Sequence, residues 1–73
     1  MSSVDLLATL TCKDQPGIVH AMTTAVLNSK GNIIENQQFT DPVTGLFCMR
    51  TRFTTEEQLS VAKEILNKEL NRF

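Results

Sequence analysis

The chain has 73 residues, of which 41% are hydrophobic and 21% are charged, and its formal net charge is −1. A length below about 80 residues limits it to one domain, whose apolar core supplies only ~3–5 kcal/mol. The nearly balanced charge argues against nucleic-acid binding, which depends on clustered Lys and Arg. No apolar run is long enough to cross a bilayer and no charged-then-apolar leader opens the chain, so we expect a cytoplasmic protein that binds no membrane.

A strand and a helix are predicted at the start of the chain. Residues 4–12 alternate between apolar and mostly polar side chains, which predicts a half-buried strand. Residues 16–30 place apolar side chains at helical spacing, which predicts a helix of about four turns. Gly31 follows, where a left-handed C-terminal cap is expected.

The junction between these elements, with the sequence Asp-Gln-Pro-Gly, is the most informative part of the chain. Pro16 suits the first helical position because it has no amide hydrogen, and Asp14 can accept bonds from the first free helix amides. Gly17 lets a ligand come close to the backbone, and the positive end of the helix favours an anion such as a carboxylate. The same residues also make an ordinary helix cap, and both interpretations stay open on this stretch alone.

A β-hairpin is predicted next. Residues 32–40 form a strand so polar that one face must meet water or a partner, and residues 41–45 have the composition of a turn. The core-facing residues of the return strand, 46–53, are Phe47, Met49, Thr51 and Phe53. The other face holds Leu46, Cys48, Arg50 and Arg52. Two arginines are costly to bury, so they are either solvated or meet a carboxylate of another subunit.

A second helix closes the chain. Thr55 to Gln58 resembles a capping box, in which Thr and Gln side chains satisfy free helix amides reciprocally. The apolar stripe of this helix consists of Leu59, Ala62, Ile65, Leu66 and Leu70.

The order β-α-β-β-α predicts an α+β, ferredoxin-like fold with its fourth strand missing, in which two helices cover one face of an antiparallel sheet. In the complete fold the first strand is central, so losing the fourth exposes the backbone of residues 4–12 to pairing. We expect residues 1–73 to be a single domain and the N-terminal part of a longer enzyme. The alternative is that a second copy supplies the missing edge.

Side chains suited to catalysis are few. Cys12 and Cys48 are far apart and fall in predicted strands, which indicates two free thiols rather than a zinc site or a disulfide scaffold. His20 is the only histidine and has no nucleophile or second ligand beside it. We therefore predict no catalytic residue, no metal and no cofactor in this chain.

The sequence resembles ACT domains, small β-α-β-β-α-β modules that sense amino acids and related metabolites. The resemblance lies in Asp-Gln-Pro-Gly-Ile-Val at 14–19 and Gly-Asn-Ile-Ile at 31–34. A narrower resemblance, to the N-terminal ACT domain of the formyltetrahydrofolate deformylase family, comes from residues 11–17, Gln-Gln-Phe at 37–39, and Gly-Leu-Phe-Cys-Met-Arg-Thr-Arg-Phe at 45–53. Those hydrolases split 10-formyltetrahydrofolate into formate and tetrahydrofolate with a separate catalytic domain, to which nothing in this chain corresponds.

The resemblance implies a ligand site between two copies of the domain. ACT domains commonly hold an effector between the β1–α1 loop of one copy and the start of the second strand of the other. Carried over to this sequence, the ligand-binding residues are Asp14, Gln15, Pro16, Gly17 and Ile18 on one side and Asn32, Ile33 and Ile34 on the other. Backbone amides near Gly17 would hold a carboxylate, and Asp14 or Asn32 an ammonium group. Asn32 is equally well interpreted as a turn residue after the helix.

The resemblance therefore implies a regulatory domain that binds a small amino acid, with glycine and methionine as candidates. It implies a homodimer or higher oligomer and a catalytic domain in the parent chain. The competing hypothesis is an assembly domain, indifferent to metabolites, that joins subunits through an exposed sheet face with Leu7, Thr9 and Leu46. An autonomous enzyme and an RNA-binding sheet are disfavoured by the missing catalytic groups and by the charge.

Overall fold

The computed structural model of the chain describes residues 3–73. The strands are β1 (Val4–Lys13), β2 (Gly31–Thr40) and β3 (Leu46–Thr55), and the helices are α1 (Ile18–Asn28) and α2 (Leu59–Leu70). The predicted order β-α-β-β-α is confirmed, and the bounds of the strands and of α1 agree with the sequence prediction to within two residues. Helix α2 begins three residues later than a cap at Thr55 predicts.

The three strands form one antiparallel sheet in the order β1-β3-β2. Both outer strands run antiparallel to β3, so β1 and β2 run in the same direction. β1 is an edge strand in this sheet, as predicted for a ferredoxin-like fold without its fourth strand. Helices lie on one side of the sheet, and the other side, the open face, is uncovered.

The core lies between the sheet and the two helices. The helix-facing side chains of β3 are buried as predicted: Phe47, Met49, Thr51 and Phe53. They meet the buried stripe of α1, which consists of Ile18, Ala21, Met22, Ala25 and Val26. In α2 only Ala62 is fully buried, while Leu59, at the start of its apolar stripe, stays 43% exposed.

The connection from α1 to β2 differs from the prediction. The left-handed residue at the end of α1 is Lys30, with φ 55°, whereas Gly31 already begins β2. Gly31 is required for a different reason, because a Cβ there would lie 2.7 Å from Phe53 Cδ2 and 2.9 Å from Val26 Cγ1. Absence of a side chain lets the strand pass directly over the helix end.

The predicted capping box at the start of α2 is also wrong. Thr55 is the last residue of β3 and is buried, and the side chain of Gln58, the residue before the helix, makes no capping hydrogen bond. The Thr55 hydroxyl instead donates to the carbonyl of Ser29 and accepts from the amide of Glu57. One buried hydroxyl thus joins the end of β3 to the end of α1 and to the approach to α2.

The hairpin between β2 and β3 forms at residues 41–45 as predicted. Asp41 Oδ1 accepts from the amide of Val43 at 2.8 Å, and Gly45 takes a positive φ of 75°. The Asp41 backbone pairs with Leu46 and Gly45, each N to O distance being 2.8 Å. A side-chain turn and one left-handed glycine therefore close this loop.

Candidate functional site

The β1–α1 loop lies at the end of the sheet where β1 finishes. Residues 14–17 connect the strand to α1, and all four are exposed. Gly17, at φ 94° and ψ −5°, adopts the left-handed geometry of the third residue of a type II turn, and proline is favoured directly before it. A Cβ on Gly17 would meet nothing within 4 Å, so the space beside this backbone is open.

This geometry corrects the prediction for the helix start. Helix α1 begins at Ile18, so Pro16 belongs to the preceding turn and is not the first helical residue. Asp14 does not cap the helix, because no side chain in the described part of the chain bonds to the first amides of α1. Gln15 turns back onto the strand, donating from Nε2 to the carbonyl of Lys13 at 3.1 Å. The free amides of the first helical turn are therefore left without a side-chain acceptor.

The other predicted binding residues lie at the start of β2. Asn32 pairs with Thr54 of β3, so it is a strand residue and the turn interpretation is wrong. The register then shifts by one residue, as in a β-bulge: Ile33 pairs with Phe53, Glu35 pairs with Arg52, and Ile34 has no partner. Ile34 is 51% exposed. Bulges re-aim side chains next to binding sites, and nothing in the sequence of this strand indicated one.

One copy of the chain does not bring the two groups of predicted residues together. Ile33 is level with Phe53 and Leu6, whereas the loop follows Lys13. From Leu6 to Lys13 the strand advances about 23 Å at its usual rise per residue. The loop and the start of β2 therefore lie at opposite ends of the sheet, and a site that uses both needs two copies.

Other reactive side chains do not converge. His20 is exposed on α1, Cys12 is buried and Cys48 half-buried, and both cysteines are free thiols as predicted. Burial, with Asp14 and Cys48 nearby, raises the pKa of the Cys12 thiol and keeps it protonated. Within residues 3–73, His, Cys, Asp and Glu form no group of three or more that could hold a metal ion.

The charged side chains of the sheet lie on its open face. Arg52 binds Asp5 through two hydrogen bonds, Nε to Oδ1 at 3.0 Å and Nη2 to Oδ2 at 2.6 Å. Glu35 of β2 lies opposite Arg52 of β3, and Arg50 lies between Thr9 of β1 and Gln37 of β2. A groove of about 320 Å³ runs between these charged side chains and Leu7. Arg50 and Arg52 are exposed on one face as predicted, but the carboxylate that Arg52 meets belongs to its own chain.

The Asp5–Arg52 pair makes stability depend on pH. The hydrogen bond from Arg52 lowers the pKa of Asp5 below its unfolded value, which outweighs the opposing effect of desolvation. Ionised Asp5 therefore stabilises the fold above its unfolded pKa, and this contribution is lost as the pH falls through the lower folded pKa. We expect the melting temperature of the Asp5→Asn variant to fall less between pH ~5 and pH ~2 than that of the wild type. If the melting temperatures of the variant and the wild type fall equally with pH in this range, the Asp5–Arg52 pair does not form in solution.

The helices of residues 3–73 do not reach the length and apolar character that a membrane crossing needs. The sequence model of the ACT domain family matches residues 7–71, which is most of the chain. This chain therefore belongs to the ACT domain family, and its β-α-β-β-α order and antiparallel sheet agree with the ferredoxin-like fold of that family.

Individual relatives agree with this assignment. Formyltetrahydrofolate deformylase of Bacillus subtilis (strain 168) is 44% identical over 45 residues, which are 60% of this chain and 15% of that protein. The formyltetrahydrofolate deformylase structure from Burkholderia mallei ATCC 23344 superposes with a TM-score of 0.82 at 20% identity, covering 94% of this chain and 25% of the other. An unknown protein from Galdieria sulphuraria gives 0.80 at 18% identity, covering 94% of this chain and 40% of the other. These structural likenesses establish the fold, and the chain spans only a minor part of each relative.

Proposed function

We propose that this chain is an amino-acid-binding regulatory domain, which holds the carboxylate of a small amino acid at the β1–α1 loop. ACT domains as a family bind small-molecule effectors and oligomerise. The candidate effectors are glycine and methionine, and the proposed contacts on the loop side come from residues 14–18.

The observation that carries the proposal is the uncapped start of α1. Among the residues that the structure describes, no side chain accepts a hydrogen bond from the first amides of α1, and Gly17 leaves open space beside them. A carboxylate placed there would accept hydrogen bonds from those amides, at the positive end of the helix dipole. Had Asp14 capped the helix, its own carboxylate would have occupied this position.

The ammonium end of the effector requires a second copy. Asn32, Ile33 and Ile34 lie at the far end of the sheet of their own chain, so only the β2 of another copy can face the loop. The side-chain carbonyl of Asn32 would accept from the ammonium group, and the exposed Ile33 and Ile34 would contact the effector side chain. The proposed active assembly is a homodimer with two equivalent sites.

Calorimetric titration of the folded chain with a panel of amino acids, including glycine and methionine, tests the proposal. We expect heat of binding for at least one of them, with one molecule bound per chain. Sedimentation with the same ligand should show a shift toward the dimer, because coupling requires the effector to prefer one packing. Dimers that ignore every amino acid would support the alternative function, an assembly domain without sensing.

Gly17→Ala provides a sharper test, with Gly45→Ala as a matched control. Both glycines have positive φ and open surroundings, so both substitutions introduce backbone strain of about 1–2 kcal/mol without a clash. Only Gly17 lies in the proposed site, where its new methyl group would stand beside the amides. We expect at least a tenfold loss of affinity in Gly17→Ala and unchanged affinity in Gly45→Ala, measured by calorimetry. Equal affinities in the two variants would remove the loop from the site.

We further propose that this domain regulates a cytoplasmic formyltetrahydrofolate deformylase, whose catalytic domain lies outside residues 1–73. The proposal is supported by the 44% identity to the Bacillus subtilis enzyme. On this proposal the domain itself carries out no catalysis and needs no metal or cofactor. Adding the chain to 10-formyltetrahydrofolate should release no formate above the uncatalysed rate, and release of formate would contradict this assignment.

A further inference from the structure

We propose that two copies of the chain associate through their open faces, with Arg50 of each copy pairing with Glu35 of the other. Asn32 lies at one end of this surface, opposite Thr54, but neither Arg50 nor Glu35 belongs to the proposed ligand site, so the inference does not depend on ligand binding.

The charges on the open face are unevenly paired. Arg52 has two carboxylates beside it, Asp5 in a bidentate hydrogen-bonded pair and Glu35 across the strand pair. Within residues 3–73 the Asp5–Arg52 pair is the only salt bridge, so Arg50 and Glu35 both lack an ionic partner within 4 Å. Lys13, at the end of β1, lies on the same face, so the charges there sum to +1. Within the described residues, Arg50 and Glu35 are the two charges near the middle of the face that form no salt bridge.

A second copy supplies both missing counter-charges. Arg50 lies opposite Gln37, and Glu35 is two residues from Gln37 on the same strand, so the two free charges are diagonal neighbours. Consider two sheets stacked face to face and related by a two-fold axis that lies between them and crosses midway between Arg50 and Glu35. This axis places Arg50 of each copy over Glu35 of the other, so two equivalent ion pairs form together. Interfaces of this isologous kind are the commonest among homodimers.

The exposed apolar residues and the area of the open face are also consistent with a second copy as the partner. Leu7 is 51% exposed beside the groove and Phe39 is 63% exposed on the same face, opposite Cys48. Three strands of ten residues present roughly 500 Å² per copy, taking ~4.8 Å between strands and ~3.3 Å per residue. Two such faces in full overlap bury about 1,000 Å², which is the size of weak, transient interfaces. The charges make the association salt-dependent.

Charge exchange between two variants tests the pairing. In Arg50→Glu both positions are acidic, and in Glu35→Arg both are basic, so each variant alone should associate at least tenfold more weakly than the wild type. A one-to-one mixture restores two opposite-charge pairs between unlike copies and should regain association. Sedimentation equilibrium at about 0.05 M salt measures this, and about 0.5 M salt should weaken the wild-type association.

The matched controls are Lys63→Glu and Glu64→Arg, which make the same charge changes on exposed positions of α2. They should leave the association unchanged. Circular dichroism verifies folding, and if Arg50→Glu fails to fold, Arg50→Gln should still weaken association. The proposal is overturned if the mixture does not recover, if the controls weaken association equally, or if the wild type stays monomeric.

The two proposals fail separately. Loss of amino-acid binding in Gly17→Ala with intact charge exchange would leave the open-face dimer standing. Intact binding heat in Arg50→Glu, which lies outside the proposed ligand site, would leave the sensing role standing.

Discussion

Gly31→Ala should lower the free energy of unfolding by about 2–3 kcal/mol, a large share of what a domain of this size possesses. The added Cβ would lie 2.7 Å from Phe53 Cδ2, 2.9 Å from Val26 Cγ1 and 3.1 Å from the Val26 carbonyl oxygen. Phe53 is fully buried and Val26 is 3% exposed, so neither has free space to move into. Urea denaturation followed by circular dichroism measures the loss.

A second substitution shows whether the clash is the cause. Val26→Ala removes the methyl group nearest the new Cβ, so its own cost should be smaller in the Gly31→Ala background than in the wild type. Such coupling is expected between residues in contact. Independent, additive costs would mean that glycine is needed at position 31 for some reason other than close packing.

The fold was predictable because the sequence repeats its apolar pattern clearly. The helix-facing residues of β3 alternate along its whole length, and two arginines identify its outer face. The wrong predictions concern the ends of helices and strands, where the same residues are compatible with several backbone arrangements. A glycine such as Gly31 suits a left-handed cap and also a close backbone contact, and only the positions of Phe53 and Val26 decide between the two.

The candidate site was less predictable, because its geometry depends on pairing across the sheet. Asp14 and Pro16 match the usual start of a helix, yet the left-handed Gly17 delays α1 until Ile18 and leaves Asp14 outside the cap. The register shift at Ile34 arises from alignment with β3 and has no local sequence signal. Nor does the sequence indicate that the Asp5–Arg52 pair leaves Arg50 without a salt bridge among residues 3–73.

Thr55→Val should lower the free energy of unfolding by about 2–3 kcal/mol, although the two side chains have nearly the same shape. The Thr55 hydroxyl donates to the Ser29 carbonyl and accepts from the Glu57 amide, and Thr55 is only 2% exposed. Valine would leave the Ser29 carbonyl without this donor in the interior, where water cannot replace it. Since α1, β3 and α2 meet at this hydroxyl, its loss should loosen the start of α2 first.

The neighbouring residue provides the control for this prediction. Thr54 lies on the open face of the same strand, so Thr54→Val makes the same chemical change without breaking a buried hydrogen bond. Thr55→Ser keeps the hydroxyl and should cost about 1 kcal/mol, for the lost methyl group alone. Urea midpoints give the order of stability, and hydrogen exchange should report faster opening of the first α2 amides in Thr55→Val only. Equal stability of Thr55→Val and Thr54→Val would show that packing, and not the shared hydroxyl, holds the three elements together.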